Sequence, residues 1–143
     1  MEAKSNSPKE TKKIASKLAS GLKEGNVIAL YGDLGSGKTV FVQGLAKGLG
    51  VKRRILSPTF VFMRQYPLKL HGKSLMFYHL DLYRGEDEND FKSLGLEEVF
   101  SGDSIVVLEW AEKIRSILPK KRVDVIFEVI GEDKRKIIIN RHR

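Results

Sequence analysis

The sequence predicts an α/β fold in which one mixed sheet combines a strand–helix core with antiparallel hairpins. Apolar residues recur every four positions from Ile14 to Leu22, the spacing of a helix with one buried face. Short apolar runs such as 26–31 are rich in β-forming residues, as buried strands are. Two later pairs of segments are separated by turn residues and indicate hairpins. A length of 143 residues suits a single domain, spanning 1–143.

The N-terminal helix is predicted to begin at the capping box Ser7–Glu10, because serine at the cap and glutamate three residues later satisfy free backbone N–H groups. Pro8 takes the first helical position, and the helix is expected to end near Gly25. The later elements follow from periodicity and from glycine or proline breaks. They are a strand at 26–31, a helix ending at Gly50, strands at 59–68 and 73–83 around a turn at Gly72, one or two short helices in 85–100, a strand at 104–110, a short helix at 111–118 before Pro119, and a hairpin of 122–130 and 134–140.

The composition excludes several kinds of site. The chain has no cysteine, which excludes disulfides, thiolate chemistry and Cys-ligated zinc, and its three histidines are too scattered for a His-rich metal site. It has no apolar stretch that could span a bilayer or act as a secretory signal, so we expect a cytoplasmic protein without membrane contact. The net charge of +8 indicates either attraction to an anion (nucleotide, RNA or acidic protein) or simply a solvated surface.

The strongest chemical signal is a phosphate-binding loop. Gly32, four further residues, Gly37, Lys38 and Thr39 match the pattern G-x-x-x-x-G-K-[ST] between an apolar strand and an amphipathic helix. Glycines let backbone N–H groups surround phosphate oxygens, and the helix N-terminus adds its dipole. The lysine reaches the β- and γ-phosphates, and the threonine hydroxyl ligates Mg²⁺. The sequence therefore predicts a nucleotide site and a P-loop NTPase-like three-layer sandwich with a mixed sheet.

Two acidic residues are candidates for the metal side of this site. Glu109 ends an apolar run at the carboxyl end of a predicted strand, where Walker-B-type acids stand; the alternative is an exposed acid that caps the next helix. Asp81 shares one side of its strand with His79 and Tyr83, while apolar residues occupy the other side. The alternative for that polar side is the solvated face of an edge strand. The sequence leaves open which of the two acids orients water and which holds metal.

Three further residues have both a functional and a structural interpretation. Thr59 could respond to a γ-phosphate or metal, as switch loops do, or could lie in an ordinary proline-containing turn. Trp110, the only tryptophan, could stack on a base or a partner, or pack at a helix start. Thr11 is a nucleotide ligand only by analogy, and the alternatives are helix capping and solvent exposure.

The order of four motifs resembles the TsaE (YjeE) family of bacterial P-loop ATPases, which act in tRNA threonylcarbamoyladenosine synthesis. The motifs are GDLGSGKT, SPTF, YHLDLYR and LEW, and the similarity extends from Thr11 to the last hairpin. Ser36 is a minor departure, since alanine is usual there. The resemblance implies a protein that binds ATP and Mg²⁺ and hydrolyses ATP slowly alone. It also implies TsaB and TsaD as partners, with hydrolysis resetting their complex and only indirect contact with tRNA.

The resemblance also implies roles for individual residues. Lys38, Asp81 and Glu109 would be catalytic, and Thr39, Glu109 and Asp81 would lie on the metal. The implied nucleotide contacts are Thr11, Gly35, Ser36, Gly37, Lys38, Thr39, Val40 and Arg135, with Lys134 and Lys136 as competitors of Arg135. The implied switch or partner residues are Thr59, Tyr83, Arg84 and Trp110, of which Arg84 is also a candidate arginine finger.

Two other functions are considered beside this one. A small-molecule or nucleoside kinase also uses a P-loop, but it needs an acceptor site and a lid, for which the chain after the loop leaves little room. A plain RNA-binding module would suit the positive charge, but the sequence has no RNP aromatic pattern and no GXXG clamp.

Overall fold

The computed structural model describes residues 1–56 and 62–142, which form one mixed sheet with helices packed on it. The strands are β1 (Glu2–Ser5), β2 (Val27–Tyr31), β3 (Met63–Leu70), β4 (Lys73–Asp81), β5 (Ile105–Glu109), β6 (Arg122–Val129) and β7 (Arg135–His142). The α-helices are α1 (Pro8–Ala19), α2 (Lys38–Leu49) and α3 (Leu96–Ser101), with 3₁₀ helices at Glu88–Leu94 and Ala111–Ile117. The predicted α/β fold with a mixed sheet is confirmed.

The seven strands lie in the order β1-β7-β6-β2-β5-β4-β3. The four middle strands, β6, β2, β5 and β4, are parallel to one another. Both predicted hairpins are present, β3 with β4 and β6 with β7, and β1 adds to β7 in antiparallel orientation. The carboxyl ends of β2, β4 and β5 therefore meet at one end of the sheet, where ligands bind in open α/β sheets.

Apolar side chains cover both faces of the sheet, because successive residues of a strand point to opposite faces. The larger cluster lies between the sheet and helices α1 and α2, and it includes the fully buried Phe41 and Phe77. The smaller cluster packs the other face against the segments 88–101 and 111–118, and it includes Leu80 and Phe91. The helix that follows the glycine-rich loop is thus anchored to the sheet by its apolar stripe.

Helices α1 and α2 pack closely because two glycines of α2 face α1. A Cβ at Gly44 would lie 2.6 Å from the Cα and the carbonyl oxygen of Lys12. A Cβ at Gly48 would lie 2.8 Å from the Cβ of Ala19. Side chains do not approach other atoms this closely, so the distance between the two helices depends on glycine at both positions.

Local hydrogen bonds set both ends of α1. At its start, the Ser7 Oγ accepts a bond of 3.1 Å from the backbone N–H three residues later, as the predicted cap requires. At its end, the Gly21 N–H bonds to the Leu18 carbonyl and tightens the last turn. The helix ends at Ala19, so the predicted continuation to near Gly25 is wrong.

Two elements differ from the sequence-based expectation. Strand β1 is not predicted from the sequence, because its polar residues have no strand pattern. It forms by pairing with β7, with Glu2 opposite Ile138. The segment 111–118 is not one regular helix but a 3₁₀ helix interrupted at Ile114 (φ −128°, ψ 32°). Within the part of the chain that the structure describes, no helix has the length and apolarity needed to cross a membrane.

Candidate active site

The glycine-rich loop connects the end of β2 to the start of α2. Gly37 has a φ of 101° and immediately precedes the first residue of α2, a backbone conformation that favours glycine. A Cβ at Gly32 would lie 2.7 Å from the Ser36 Oγ and 3.0 Å from the Phe127 Cβ, so the loop folds tightly against β6. The Ser36 Oγ is itself buried and has no hydrogen-bond partner among the described residues. The local structure is compatible with a phosphate-binding loop.

A cavity of about 370 Å³ opens between this loop and the ends of β4 and β5. Two larger cavities, of about 640 and 500 Å³, adjoin Lys52 and Arg53 and contain no predicted site residue. The smaller cavity is the candidate active site because it gathers most of the predicted residues. They are Gly35, Ser36, Gly37, Lys38, Thr39, Val40, Asp81, Tyr83, Glu109 and Trp110, joined at the rim by Leu34.

Lys38 is held inside the loop by backbone and aromatic contacts. Its Nζ donates to the carbonyl oxygens of Gly32 and Asp33, the latter at 3.2 Å. The same atom lies 3.7 Å from the centroid of the Trp110 ring, within the range of a cation–π interaction. Burial lowers the pKa of the Lys38 ammonium, and nearby carboxylates, Glu109 foremost, oppose that shift.

Glu109 lies under the first turn of α2. The Thr39 hydroxyl donates to Glu109 Oε1 at 2.9 Å, and the glutamate is almost fully buried at 2% exposure. The alternative of an exposed, helix-capping acid is therefore wrong. The threonine that follows the glycine-rich loop and the strand-end acid, 70 positions apart in sequence, are in direct contact.

Asp81 is the neighbour of Glu109 across two parallel strands. The two residues are register partners at the ends of β4 and β5. Burial raises the pKa of the Asp81 carboxyl, and the Glu109 carboxylate raises it further, while a hydrogen bond from the Tyr83 N–H opposes the shift. Two carboxylates thus stand side by side at the floor of the cavity, where a cation would relieve their repulsion.

His79 is a site residue that the sequence analysis did not assign. It is 0% exposed on β4, and its Nε2 lies at hydrogen-bond distance, 2.6 Å, from Glu109 Oε2. Strand β4 lies between β5 and β3, so the alternative of a solvated edge-strand face is wrong for this polar side. The available signal was the alternation that puts His79 on the same side as Asp81.

Trp110 forms one wall of the cavity in a conformation that is uncommon for a large side chain. Its φ and ψ are 62° and 42°, in the left-handed region. Its ring pairs with that of Tyr83 at 5.2 Å between centroids. Lys113 is a second residue that the sequence analysis missed. It donates to the carbonyl oxygens of Tyr83 and Gly85, and so connects the residues after β4 to the 3₁₀ helix that follows Trp110.

Arg135 is the basic residue of the last hairpin that reaches the loop. Its Nε donates to the Ser36 carbonyl and its Nη2 to the Gly35 carbonyl, both at 3.1 Å. Lys136, one of its competitors, instead faces Glu2 at 3.5 Å. Arg135 is therefore positioned by the loop backbone, and its contact with a nucleotide stays a prediction.

Two further predicted residues, Thr11 and Arg84, do not line this cavity, and a third, Thr59, is not described by the structure. Thr11 is buried at 3% exposure, and its hydroxyl lies 2.7 Å from the Ser5 Oγ, so solvent exposure is excluded and its nucleotide role stays a prediction. Thr59 falls in 57–61, outside the described residues. Arg84 is exposed just beyond the end of β4 and does not line the cavity.

Comparisons with known proteins agree on one family. The family model described as "Threonylcarbamoyl adenosine biosynthesis protein TsaE" matches residues 5–137. A Bacillus subtilis protein named tRNA threonylcarbamoyladenosine biosynthesis protein TsaE is 43% identical over 130 residues, which cover 91% of this chain and 78% of that protein. A Treponema pallidum protein of the same name is 37% identical over 139 residues, covering 97% of this chain and 99% of that protein.

A solved structure is similar over the whole chain. The crystal structure of Bacillus subtilis YdiB superposes with a TM-score of 0.82 at 36% sequence identity, covering 100% of this chain and 86% of YdiB. The chain therefore belongs to the TsaE family of threonylcarbamoyl adenosine biosynthesis proteins.

Proposed function

We propose that this chain is a Mg²⁺-dependent ATPase that acts in tRNA threonylcarbamoyladenosine biosynthesis, with the fold of a P-loop NTPase. The observation that carries the proposal is the 2.9 Å hydrogen bond between Thr39 and Glu109 at the mouth of the glycine-rich loop. A hydroxyl at the start of the loop helix and an acid at the end of the neighbouring strand are the metal-side groups of P-loop proteins. Family membership supports the pathway.

The donor set fits a magnesium nucleotide. Among the described residues, no group of three or more His, Cys, Asp or Glu residues could hold a metal ion by itself. Asp81 and Glu109 supply two carboxylates, and Mg²⁺ typically binds one or two carboxylates together with substrate phosphates and water. The unpartnered Ser36 Oγ in the loop and the neighbouring backbone offer further polar groups to a phosphate.

Each residue has a role that follows from its surroundings. Thr39 and Glu109 would hold Mg²⁺, directly or through water, with Asp81 beside them. When bound, the ion would neutralise charge that develops on the β- and γ-phosphates. Lys38 would exchange its carbonyl partners for phosphate oxygens and offset the same charge. Arg135 holds two carbonyls of the loop, which orients the peptide groups on which phosphate binding depends.

Partner proteins are part of this proposal. Within the candidate cavity, no arginine side chain of the described residues lines the wall, so a charge-stabilising arginine finger would have to move in or come from elsewhere. This favours slow ATP hydrolysis by the isolated chain. We infer that TsaB and TsaD complete its working state in the cytoplasm, and that hydrolysis resets their complex between rounds of tRNA modification.

The test compares two lysines of the same helix. Lys38→Ala removes the loop ammonium, whereas Lys47→Ala changes an exposed lysine in the last turn of α2 that lies outside the candidate site. Each protein is mixed with TsaB, TsaD, tRNA, ATP, Mg²⁺ and the threonylcarbamoyl donor, and both ATP hydrolysis and repeated rounds of modification are measured. Lys38→Ala should abolish both, and Lys47→Ala should match the wild type. Repeated turnover by Lys38→Ala at the wild-type rate would refute the proposal.

The kinase alternative receives no support. The relatives are named for tRNA threonylcarbamoyladenosine biosynthesis. Strand β4 ends at the candidate cavity. The segment that connects it to β5 contains a 3₁₀ helix and the six-residue α3. Rapid phosphoryl transfer to a nucleoside or small alcohol in a product screen would reverse this conclusion.

A further inference from the structure

We propose that His79 is a positioning residue, which holds Glu109 in the orientation that lets its Oε1 serve the metal beside Thr39. The inference rests on the proposed function, since it concerns the metal side of the same site. The two oxygens of the Glu109 carboxylate then have separate roles, because Oε1 faces Thr39 at 2.9 Å and Oε2 is held by His79 at 2.6 Å.

Burial makes this division necessary. The side chains of His79 and Glu109 are 0% and 3% exposed, so their hydrogen bonds must come mainly from protein groups rather than from water. A buried carboxylate oxygen without a donor is costly, and a carboxylate with one free side would turn toward other donors. The imidazole Nε2–H supplies that donor and leaves Oε1 as the oxygen that faces the cavity.

The strand register explains why histidine can do this. His79 and Asp81 are two positions apart on β4 and therefore lie on the same face of the sheet. Asp81 pairs with Glu109 itself, so its carboxylate stands beside the same group that His79 holds. One short segment of β4 thus provides both the second acid of the site and the donor that fixes the first.

Stability alone does not account for this pair. The Nδ1 of His79 is buried and has no hydrogen-bond partner among the described residues. A buried histidine with one unpartnered nitrogen beside a buried acid often contributes less to the stability of the fold than well-packed apolar residues of similar volume would. Groups that orient metal ligands through a second hydrogen bond are a general feature of metal sites, and their loss typically weakens metal binding about 10–100-fold.

The test uses three substitutions that differ in the donor they leave. In His79→Gln, the side-chain amide N–H can occupy the place of the imidazole Nε2–H. In His79→Asn, the amide is too short to reach Glu109, and in His79→Leu there is no donor. For each protein, the affinity for ATP is measured by calorimetry with Mg²⁺ and with a chelator, and their ratio gives the factor by which Mg²⁺ tightens binding.

We expect the Mg²⁺ factor to fall about tenfold or more in His79→Leu and His79→Asn, and to stay within about threefold of wild type in His79→Gln. Affinity in the chelator should be unchanged in all three, a pattern that general loss of structure would not give. If His79→Leu does not fold, the comparison of Gln with Asn decides. A wild-type Mg²⁺ factor in His79→Asn, or equal losses in Asn and Gln, would overturn the proposal.

A second readout separates this proposal from the proposed function. In nucleotide-free protein, nitrogen-15 NMR should show a slowly exchanging His79 Nε2–H that loses protection in Glu109→Ala. If wild-type protein binds ATP without any effect of Mg²⁺ while this proton is protected, the magnesium part of the proposed function fails and the contact stands. Absence of a protected Nε2–H would overturn the positioning role whatever the nucleotide data show.

Discussion

The close contact between α1 and α2 makes a quantitative prediction for Gly44→Ala. In an ordinary exposed helix, alanine in place of glycine stabilises by about 1 kcal/mol. At this position the added Cβ would lie 2.6 Å from backbone atoms of Lys12, and backbone yields less readily than a side-chain tip. Overpacking costs about 1–3 kcal/mol, and a clash with backbone belongs at the upper end. The net expectation is a loss of about 2 kcal/mol in the free energy of unfolding.

The assay is urea unfolding followed by circular dichroism, together with thermal melts. For a chain of this size, a loss of about 2 kcal/mol corresponds to a decrease of about 6 °C in Tm. Gly21→Ala is the control: an added Cβ there meets nothing closer than the Leu18 carbonyl oxygen at 3.8 Å, so stability should be unchanged or raised by up to about 1 kcal/mol. A Gly44→Ala protein at least as stable as wild type would refute the reasoning about interhelix distance.

Three further predictions concern a helix cap, a half-buried phenol and the loop lysine. Ser7→Ala should cost about 1 kcal/mol in urea unfolding, because one N–H of the first turn loses its acceptor, and an unchanged midpoint would contradict the cap. Tyr31 donates to Asp124 at 3.1 Å, and burial followed by the Asp124 charge raises the pKa of Tyr31. The contribution of this protonated phenol to stability is complete below about pH 10 and is lost as pH rises through the raised pKa. Tyr31→Phe should therefore lose less stability than wild type at alkaline pH. Equal slopes of stability against pH in the two proteins would contradict this prediction. Lys38→Met should change the emission of Trp110 in nucleotide-free protein, since the ammonium leaves the ring; identical spectra would mean that this contact does not form.

The parts of the molecule that the sequence predicts well are set by neighbouring residues. The residues of the glycine-rich loop are contiguous in sequence. Its glycines, lysine and threonine can be recognised as a phosphate-binding pattern because a predicted strand precedes them and a predicted helix follows. The stop of α2 at Gly50 follows from a left-handed C-cap, which glycine adopts with little strain (φ 88°). The turn at Gly72 is similar, because two successive positive φ values at His71 and Gly72 suit a two-residue hairpin.

The parts that it misses depend on contacts between distant segments. Strand β1 has a polar sequence and is a strand because β7 offers it an edge. His79 and Glu109 meet only in the observed register of β4 and β5, and a shift of one residue would turn His79 to the other face. Lys113 donates to two carbonyls that lie 30 and 28 residues earlier, which no spacing rule anticipates.

The hydrogen bonds from Arg135 to the loop have a consequence for how the binding site comes into being. The loop carbonyls bond to Arg135, Thr39 bonds to Glu109, and Glu109 pairs with Asp81. These contacts form only when segments between about positions 35 and 135 have folded together. A peptide copy of the loop and its helix would carry the motif yet lack most of what shapes it. On the proposed function, nucleotide uptake would report completed assembly of the sheet, and bound nucleotide should protect distant strands as well as the glycine-rich loop from local opening.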